Sequence, residues 1–285
     1  MSTSGPSKTK KPDPRGQTNV VTRVLERLGT QGGKSRIGHI AVQCARAVIR
    51  GYEGAGAALL HIDTNGEARV LDKCGPALGV VFDVGANVGE WTAYALSAGA
   101  RAVHSFEISP STAATLVERY KADDRVTTNS FGLADVAGTV KIRHFPDHPM
   151  LTTTTDFPWE LPAEVFEVPV GTGDGYLADA GVDHIDFLKL DVEGAEDAVL
   201  RGFKSAFERG AIGAVQFEYG RFVVLTKYLL GDFYADLTKY GFVIGQIRPH
   251  SWEPTPFNLA METLKDANYL AVHESRKDLL DLLQR

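Results

Sequence analysis

The sequence predicts a doubly wound α/β fold with a mostly parallel, seven-stranded sheet. From residue 79 onward, short apolar runs with strand character alternate with segments that have helical spacing, which is typical of a sheet covered by helices on both faces. The last two runs are joined by residues 248–266, which show no helical spacing. This connection favours an antiparallel hairpin at the end of the sheet.

The individual elements follow from apolar periodicity and from turn residues. The predicted core strands are 80–83, 102–107, 126–130, 185–191, 214–218, 242–247 and 269–273. The predicted helices are 90–97, 110–120, 195–207 and 232–239. Two further short strands are predicted at 139–145 and 165–170, between the third and fourth core strands.

The N-terminal part has a different character. Residues 1–18 are polar and lean basic, which predicts a disordered tail. Helical spacing at 20–28 and 37–50, with a hairpin at 57–71 around Asn65-Gly66, predicts a helical and hairpin cap over 19–78. The α/β domain then spans 79–275, and the leucine-rich residues 276–285 are expected to form a helix on the body or on a partner subunit, so a homo-oligomer stays open.

Composition excludes several classes of protein. The chain of 285 residues is 44% hydrophobic, and its formal net charge of -6 argues against a nucleic-acid partner. It has no apolar stretch of about 20 residues, so no membrane span is expected. Its two cysteines do not form a disulfide framework, which favours a cytoplasmic location.

A glycine-containing turn follows the first core strand. Gly85 allows a sharp turn, Gly89 opens the next helix, and Glu107 ends the second strand about 20 residues later, where a carboxylate can accept ribose hydroxyls. NAD-dependent dehydrogenases have Gly-x-Gly-x-x-Gly around a pyrophosphate. Here the glycine spacing is different and Asp83 lies two residues before Gly85, which suits a cationic ligand such as S-adenosylmethionine.

A second group of acidic residues ends the fourth and fifth core strands. Asp191 and Glu193 follow one strand, and Glu218 ends the next, so neighbouring strands would bring Asp191 and Glu218 together. A hydroxyl nucleophile needs a base or a metal ion, and carboxylates serve as either. Oxygen ligands would favour Mg²⁺ or Ca²⁺. Lys189 is expected to neutralise a neighbouring acid, and Glu196 to be a first-turn charge of the following helix.

These segments resemble the FkbM-type methyltransferase family. The resemblance covers about 57–275 and depends on Phe-Asp-Val-Gly-Ala-Asn-Val-Gly at 82–89, Phe-Glu-Ile-Ser-Pro at 106–110 and, above all, Leu-Lys-Leu-Asp-Val-Glu-Gly-Ala-Glu at 188–196. It implies a Rossmann-like, class I methyltransferase fold with residues 79–275 as the S-adenosylmethionine-binding catalytic domain. The site residues that it implies are Asp83, Gly85, Asn87 and Gly89 for the methionine part, Glu107 for the ribose, and Phe131 and Gly132 for the adenine.

The acceptor is expected to contact two less typical segments. The loop 146–162 carries threonines flanked by Phe157 and Trp159, which would suit a sugar as well as an ordinary surface loop. His250 follows the sixth core strand and is a candidate base because an imidazole titrates near neutrality, although a lone loop histidine is more often a surface residue.

The sequence therefore predicts an O-methyltransferase that uses S-adenosylmethionine, with Asp191, Glu218, Glu193 and His250 as catalytic candidates. Asp191 and Glu218 are also the candidate ligands for a Mg²⁺ ion. The acceptor would be a small molecule, with a hydroxyl of a saccharide or secondary metabolite as the target. An inactive regulator that binds S-adenosylmethionine and, less favoured, an NAD-dependent oxidoreductase are the alternatives.

Overall fold

The computed structural model describes residues 40, 42–45, 47–48, 61–156, 158 and 160–284. The chain divides into two compact units, Met1–Tyr52 and Glu53–Arg285. In the first unit, the described residues are helical, in agreement with the helix predicted at 37–50. The tail predicted at 1–18 and the helix predicted at 20–28 lie outside the described residues.

A seven-stranded sheet forms the centre of the second unit. Its strands are β1 Val80–Val84, β2 Ala102–Phe106, β3 Val126–Asn129, β7 Phe187–Leu190, β8 Ala214–Tyr219, β9 Phe242–Gln246 and β10 Ala267–His273. Their order is β3-β2-β1-β7-β8-β10-β9, and β10 runs antiparallel to both of its neighbours. All seven predicted core strands, and the antiparallel ending, are confirmed.

Helices cover both faces of this sheet. They are α1 Ile62–Asn65, α2 Glu67–Cys74, α3 Glu90–Ala98, α4 Pro110–Tyr120, α5 Gly173–Ala180, α6 Glu196–Gly202, α7 Lys204–Glu208, α8 Val223–Thr226, α9 Leu230–Thr238 and α10 Lys277–Gln284. The four predicted core helices are present, although the one predicted at 195–207 is divided into α6 and α7. Helices α5 and α8 were not predicted.

The hairpin predicted at 57–71 is wrong, because the described residues from 62 onward form α1 and α2 instead. Gly66 separates the two helices with φ 102°, in the left-handed region. An Asn-Gly pair supplies this conformation in a hairpin turn and at a helix C-terminus equally well. The cap on the described residues is therefore helical.

A second, smaller sheet lies between β3 and β7 in the sequence. It contains β4 Gly132–Leu133, β5 Gly138–His144 and β6 Glu164–Gly171 in the order β4-β6-β5. The strands predicted at 139–145 and 165–170 are its antiparallel pair β5 and β6. An isolated bridge between Arg143 and Thr153 extends this pairing into the loop that follows β5.

The main sheet is buried on both faces. Phe82, Leu188 and Phe217 face one apolar cluster, which includes side chains of α6, α7 and α9. The opposite cluster includes side chains of α2, α3 and α10, among them Leu279 and Leu283. The C-terminal helix therefore packs on the body, where each buried leucine contributes roughly 1.5–3 kcal/mol. In the part of the chain that the structure describes, no helix is long and apolar enough to cross a membrane.

Candidate active site

The turns after β1 and β7 lie against each other. These strands are parallel neighbours, and the amide of Asp191 donates to the carbonyl of Val84 at 3.0 Å. Gly85 has φ 81°, and a Cβ atom there would lie 1.8 Å from the carbonyl oxygen of Asp191. Glycine is therefore required at this position by the backbone of the acidic strand end, in addition to any approach of a ligand.

Glu107 connects the glycine turn to the turn after β2. Its two carboxylate oxygens each accept a backbone hydrogen bond at 2.8 Å, one from the amide of Asn87 and the other from the amide of Ser109. Burial raises the pKa of Glu107, and these two amide donors oppose that shift. Each oxygen retains a further lone pair, so this carboxylate fits the ribose hydroxyls of a nucleoside ligand.

Tyr120, at the end of α4, holds the remaining part of the glycine turn. Asn87 and Gly89 both have positive φ, 49° and 82°. The hydroxyl of Tyr120 donates to the carbonyl of Gly89 at 2.6 Å. A Cβ atom at Gly89 would lie 2.4 Å from the Tyr120 ring. The turn is therefore shaped by α4 before any ligand binds.

Asp83 is a buried residue of β1 rather than an exposed group of the site. Its side chain is fully buried and accepts a hydrogen bond from the Thr92 hydroxyl at 2.7 Å. The ammonium of Lys189 lies 3.2 Å from the other Asp83 oxygen and 3.2 Å from Asp191. Lys189 neutralises neighbouring acids as expected, and Asp83 can influence a bound ligand through its charge and through Lys189.

Three carboxylates converge where β7 and β8 end. Asp191, Glu193 and Glu218 each place one oxygen within 4.8 Å of the others, because β7 and β8 are parallel neighbours, which the sequence had left as a condition. Burial, followed by the charge of Asp191, raises the pKa of Glu193 and of Glu218 well above 4.5. These two glutamates therefore hold a proton to a higher pH than an exposed glutamate does.

Glu196 has a role that the sequence did not predict. It lies in the first turn of α6 as expected, but its carboxylate accepts hydrogen bonds from the amides of Val192 and Gly194, both at 3.1 Å. Burial raises its pKa to about 7. Glu196 therefore braces the turn that carries Glu193, besides any interaction with the helix dipole.

Glu67 is a buried acid that the sequence analysis missed. Its carboxylate accepts hydrogen bonds from Gln216 at 2.5 Å, from Asn268 at 2.9 Å and from Asn65. Gln216 is the register partner of Lys189 on the neighbouring strand. Local periodicity could not identify Glu67 as a buried acid of the site, because two of its partners, Gln216 and Asn268, lie 149 and 201 residues away in the sequence.

The predicted adenine residues lie beside the Glu107 turn. Phe131 packs edge-to-face on Phe106, with ring centroids 5.7 Å apart. A Cβ atom at Gly132 would lie 2.5 Å from the side chain of Ile108, the residue after Glu107. The structure thus brings both residues to the side of the site where Glu107 lies.

His250 is not brought to the carboxylates by any contact among the described residues. It is exposed and follows β9, an edge strand separated from β8 by β10. Phe157 and Trp159, the aromatic residues of the loop 146–162, lie outside the described residues. The threonines of that loop do reach the acidic turn, since the Thr153 hydroxyl donates to the carbonyl of Glu193 at 2.6 Å.

The glycine turn and the strand-end carboxylates both fall within a segment that matches a known family of methyltransferases. The Methyltransferase FkbM domain matches residues 83–244, which is more than half of the chain. The protein therefore belongs to the FkbM methyltransferase family. This membership confirms the resemblance seen in the sequence and leaves the oxidoreductase alternative without support.

Comparison with solved structures gives distant similarities. Methyltransferase FkbM from Methylobacillus flagellatus KT is 18% identical with a TM-score of 0.42, over 68% of this chain and 43% of that chain. This chain thus spans less than half the length of that protein. Magnesium protoporphyrin IX methyltransferase from Synechocystis PCC 6803, with bound S-adenosylmethionine, is 15% identical with a TM-score of 0.40, over 77% of this chain and 80% of that chain. No curated protein sequence matches this chain significantly.

Proposed function

We propose that this protein methylates a hydroxyl group of a small-molecule acceptor, a saccharide or another secondary metabolite, with S-adenosylmethionine as the methyl donor. The supporting observation is the convergence of Asp191, Glu193 and Glu218 within 4.8 Å, directly beside the Gly85 turn. Methyl transfer to oxygen requires removal of the hydroxyl proton. A group of carboxylates next to the cofactor turn meets this requirement.

The carboxylates differ in the part that each can take. Burial and the charge of Asp191 raise the pKa of Glu218, which makes its carboxylate a stronger base than that of an exposed glutamate. Asp191 lies 3.2 Å from the Lys189 ammonium, and this ion pair holds it in place to orient the acceptor hydroxyl. We assign removal of the hydroxyl proton to Glu218, whose pKa is raised first by burial, then by Asp191 and then by Glu193.

The cofactor residues follow the same proposal. When bound, S-adenosylmethionine supplies an electrophilic methyl group on its sulfonium. We assign Glu107 to the ribose. We assign the turn that contains Gly85, Asn87 and Gly89 to the methionine part, which the negative charge of the buried Asp83 would also attract. Phe131 and Gly132 would border the adenine, next to the Glu107 turn.

Binding of a divalent cation is a second candidate role for Asp191, Glu193 and Glu218. Carboxylate oxygens of Asp191 and Glu218 are the donors that Mg²⁺ accepts, and the spacing of the three residues allows one ion between them. Lys189 already neutralises part of this charge, which leaves less negative charge to bind a cation. We therefore favour the base, and loss of activity in EDTA that Mg²⁺ restores would favour the metal.

The experiment uses S-adenosylmethionine with a deuterated methyl group and a panel of sugars, glycosides, phenols, carboxylic acids and amines. Mass spectrometry identifies the methylated atom, and calorimetry measures cofactor binding. Asp191→Asn and Glu218→Gln should lower turnover by roughly 10²–10⁴ while leaving cofactor affinity close to that of the wild type.

Exposed acids supply the matched controls. Asp179→Asn and Glu208→Gln remove surface carboxylates and should leave turnover unchanged. Methylation at nitrogen or carbon, or full turnover by Glu218→Gln, would contradict the proposal. Cofactor binding without transfer to any acceptor would favour the inactive regulator.

A further inference from the structure

Thr153 reaches the acidic turn from the second sheet. Its side chain is buried, with 2% exposed, although the loop around it has little regular structure. Its backbone pairs with Arg143 through hydrogen bonds of 2.8 and 3.2 Å. Its hydroxyl donates to the carbonyl of Glu193 at 2.6 Å, accepts from the amide of Thr155 at 3.0 Å and lies 2.9 Å from the Thr155 hydroxyl. The hydroxyl is therefore fully engaged.

The residue that Thr153 contacts has an unfavourable backbone conformation. Glu193 has φ 50°, and the following Gly194 has φ 100°. A residue with a side chain in the left-handed region costs roughly 1–2 kcal/mol, so its neighbours must hold it there. Glycine or asparagine would tolerate this position better, yet the chain has a glutamate there.

Two side chains form hydrogen bonds with the backbone of this turn. We call residues 191–194 the acid loop. Glu196 accepts hydrogen bonds from its amides at Val192 and Gly194, while Thr153 donates to its carbonyl at Glu193. Glu196 adjoins the loop in sequence, but Thr153 is 40 residues away. The second contact therefore depends on the second sheet.

Residues 152–155, which we call the strap, also contact residues beside Glu107. The hydroxyl of Thr152 lies 3.0 Å from the His144 ring, and this ring lies 3.3 Å from the Ser109 hydroxyl. The amide of Ser109 is a donor to Glu107. The second sheet thus anchors the strap beside the ribose carboxylate and places its next residue against the acid loop.

We propose that Thr153 is a positioning residue whose hydroxyl holds the acid loop in the left-handed turn that keeps the Glu193 carboxylate beside Asp191 and Glu218. The inference rests on the proposed function only in treating these carboxylates as the reacting group. Thr153 itself would not touch the acceptor. It would act through the backbone of Glu193.

The test compares Thr153→Val, which keeps the shape of the side chain but removes the hydroxyl, with Thr153→Ser, which keeps the hydroxyl. Thr154→Val is the control, because Thr154 is the adjacent exposed threonine. Hydrogen exchange of a peptide covering the acid loop should be roughly fivefold faster or more in Thr153→Val, the scale of one lost hydrogen bond. Thr153→Ser and Thr154→Val should match the wild type.

A second readout follows Glu193 directly. At one fixed pH, the carbon-13 chemical shift of its carboxyl should differ from the wild type in Thr153→Val, because the side chain leaves its place beside Asp191 and Glu218, and should return in Thr153→Ser. Calorimetry should show unchanged affinity for S-adenosylmethionine in all three variants. Once an acceptor is found, kcat should fall in Thr153→Val with little change in the KM for the cofactor.

Wild-type exchange and a wild-type carboxyl shift in Thr153→Val would overturn the inference, as would the same changes in Thr154→Val. Neither readout requires an acceptor. If the loop responds as expected but no oxygen is ever methylated, the proposed function fails while the positioning role of Thr153 stands. If oxygen is methylated and the loop does not respond, only the positioning role fails.

Discussion

Lys189 is a buried cation shared by two carboxylates, and its replacement by methionine tests how the site is held together. Its ammonium lies 3.2 Å from Asp83 and 3.2 Å from Asp191, and its side chain is 7% exposed. Burial lowers the pKa of Lys189, but Asp83, Asp191 and Glu67 together raise it above its usual value. Lys189 is therefore charged at neutral pH, and Lys189→Met leaves Asp83 without its counter-ion.

The expected loss follows from this geometry. At 3.2 Å and an effective dielectric constant near 20, one pair of unit charges attracts by about 5 kcal/mol. The cost of burying the ammonium offsets part of this gain, and removing one partner of a buried pair costs about 3–5 kcal/mol. Asp191 is 41% exposed, so most of the loss comes from Asp83. We expect Lys189→Met to lower the free energy of unfolding by about 3–5 kcal/mol.

The assay is urea unfolding at neutral pH without cofactor. The double variant Asp83→Asn with Lys189→Met should recover at least half of the loss, because an amide can accept the Thr92 hydrogen bond without an unpaired charge. Lys204→Met, at an exposed ammonium, is the control and should cost under about 0.5 kcal/mol. If Lys189→Met resembled Lys204→Met, or if the double variant were no better than the single one, the reasoning would be refuted.

Two further predictions concern carboxylates of the site. Glu107→Gln should weaken S-adenosylmethionine binding by roughly 10- to 100-fold in calorimetry, because hydrogen bonds to a charged acceptor contribute about 1.5–3 kcal/mol. Glu196 has a folded-state pKa of about 7 against an ordinary value of 4.5, so its stabilisation is complete below pH 4.5 and is lost as pH rises through 7. The free energy of unfolding of the wild type, relative to Glu196→Gln, should therefore fall by up to about 3 kcal/mol across that range in urea titrations.

Each of these has a clear contrary result. Cofactor affinity in Glu107→Gln equal to that of the exposed-site control Glu118→Gln would remove Glu107 from the ribose site. If the difference in free energy of unfolding between the wild type and Glu196→Gln stayed constant with pH, or grew as pH rises, the pKa of Glu196 would not be raised in the folded protein.

Local sequence was sufficient for the main sheet. Each core strand is a short apolar run bounded by turn residues, and burial on both faces leaves such a run little alternative to a central strand. The same logic placed Asp191 and Glu218 together, since parallel neighbours end at one edge. The order of the strands then brought the Gly85 turn against Asp191, a contact that the glycine spacing alone did not predict.

The hairpin at 57–71 failed because the Asn65-Gly66 pair specifies a positive φ but not the elements on either side of it. The error concealed Glu67, whose side chain is buried through α2 rather than alternating along a strand. Its partners Gln216 and Asn268 belong to strands far along the chain. No periodicity within one segment could have identified that network.

By itself, the sequence determined the class of fold, the family and the acidic character of the site, because apolar periodicity and the motif at 188–196 are local properties of the chain. Only the tertiary structure decided which carboxylates share a counter-ion, which lie in a turn held by hydrogen bonds and which are buried. Lys189 lies between Asp83 and Asp191, and Thr153 holds the turn of Glu193. These relations depend on distances between segments that only packing brings together, and on burial, which sets the charge that each carboxylate can carry.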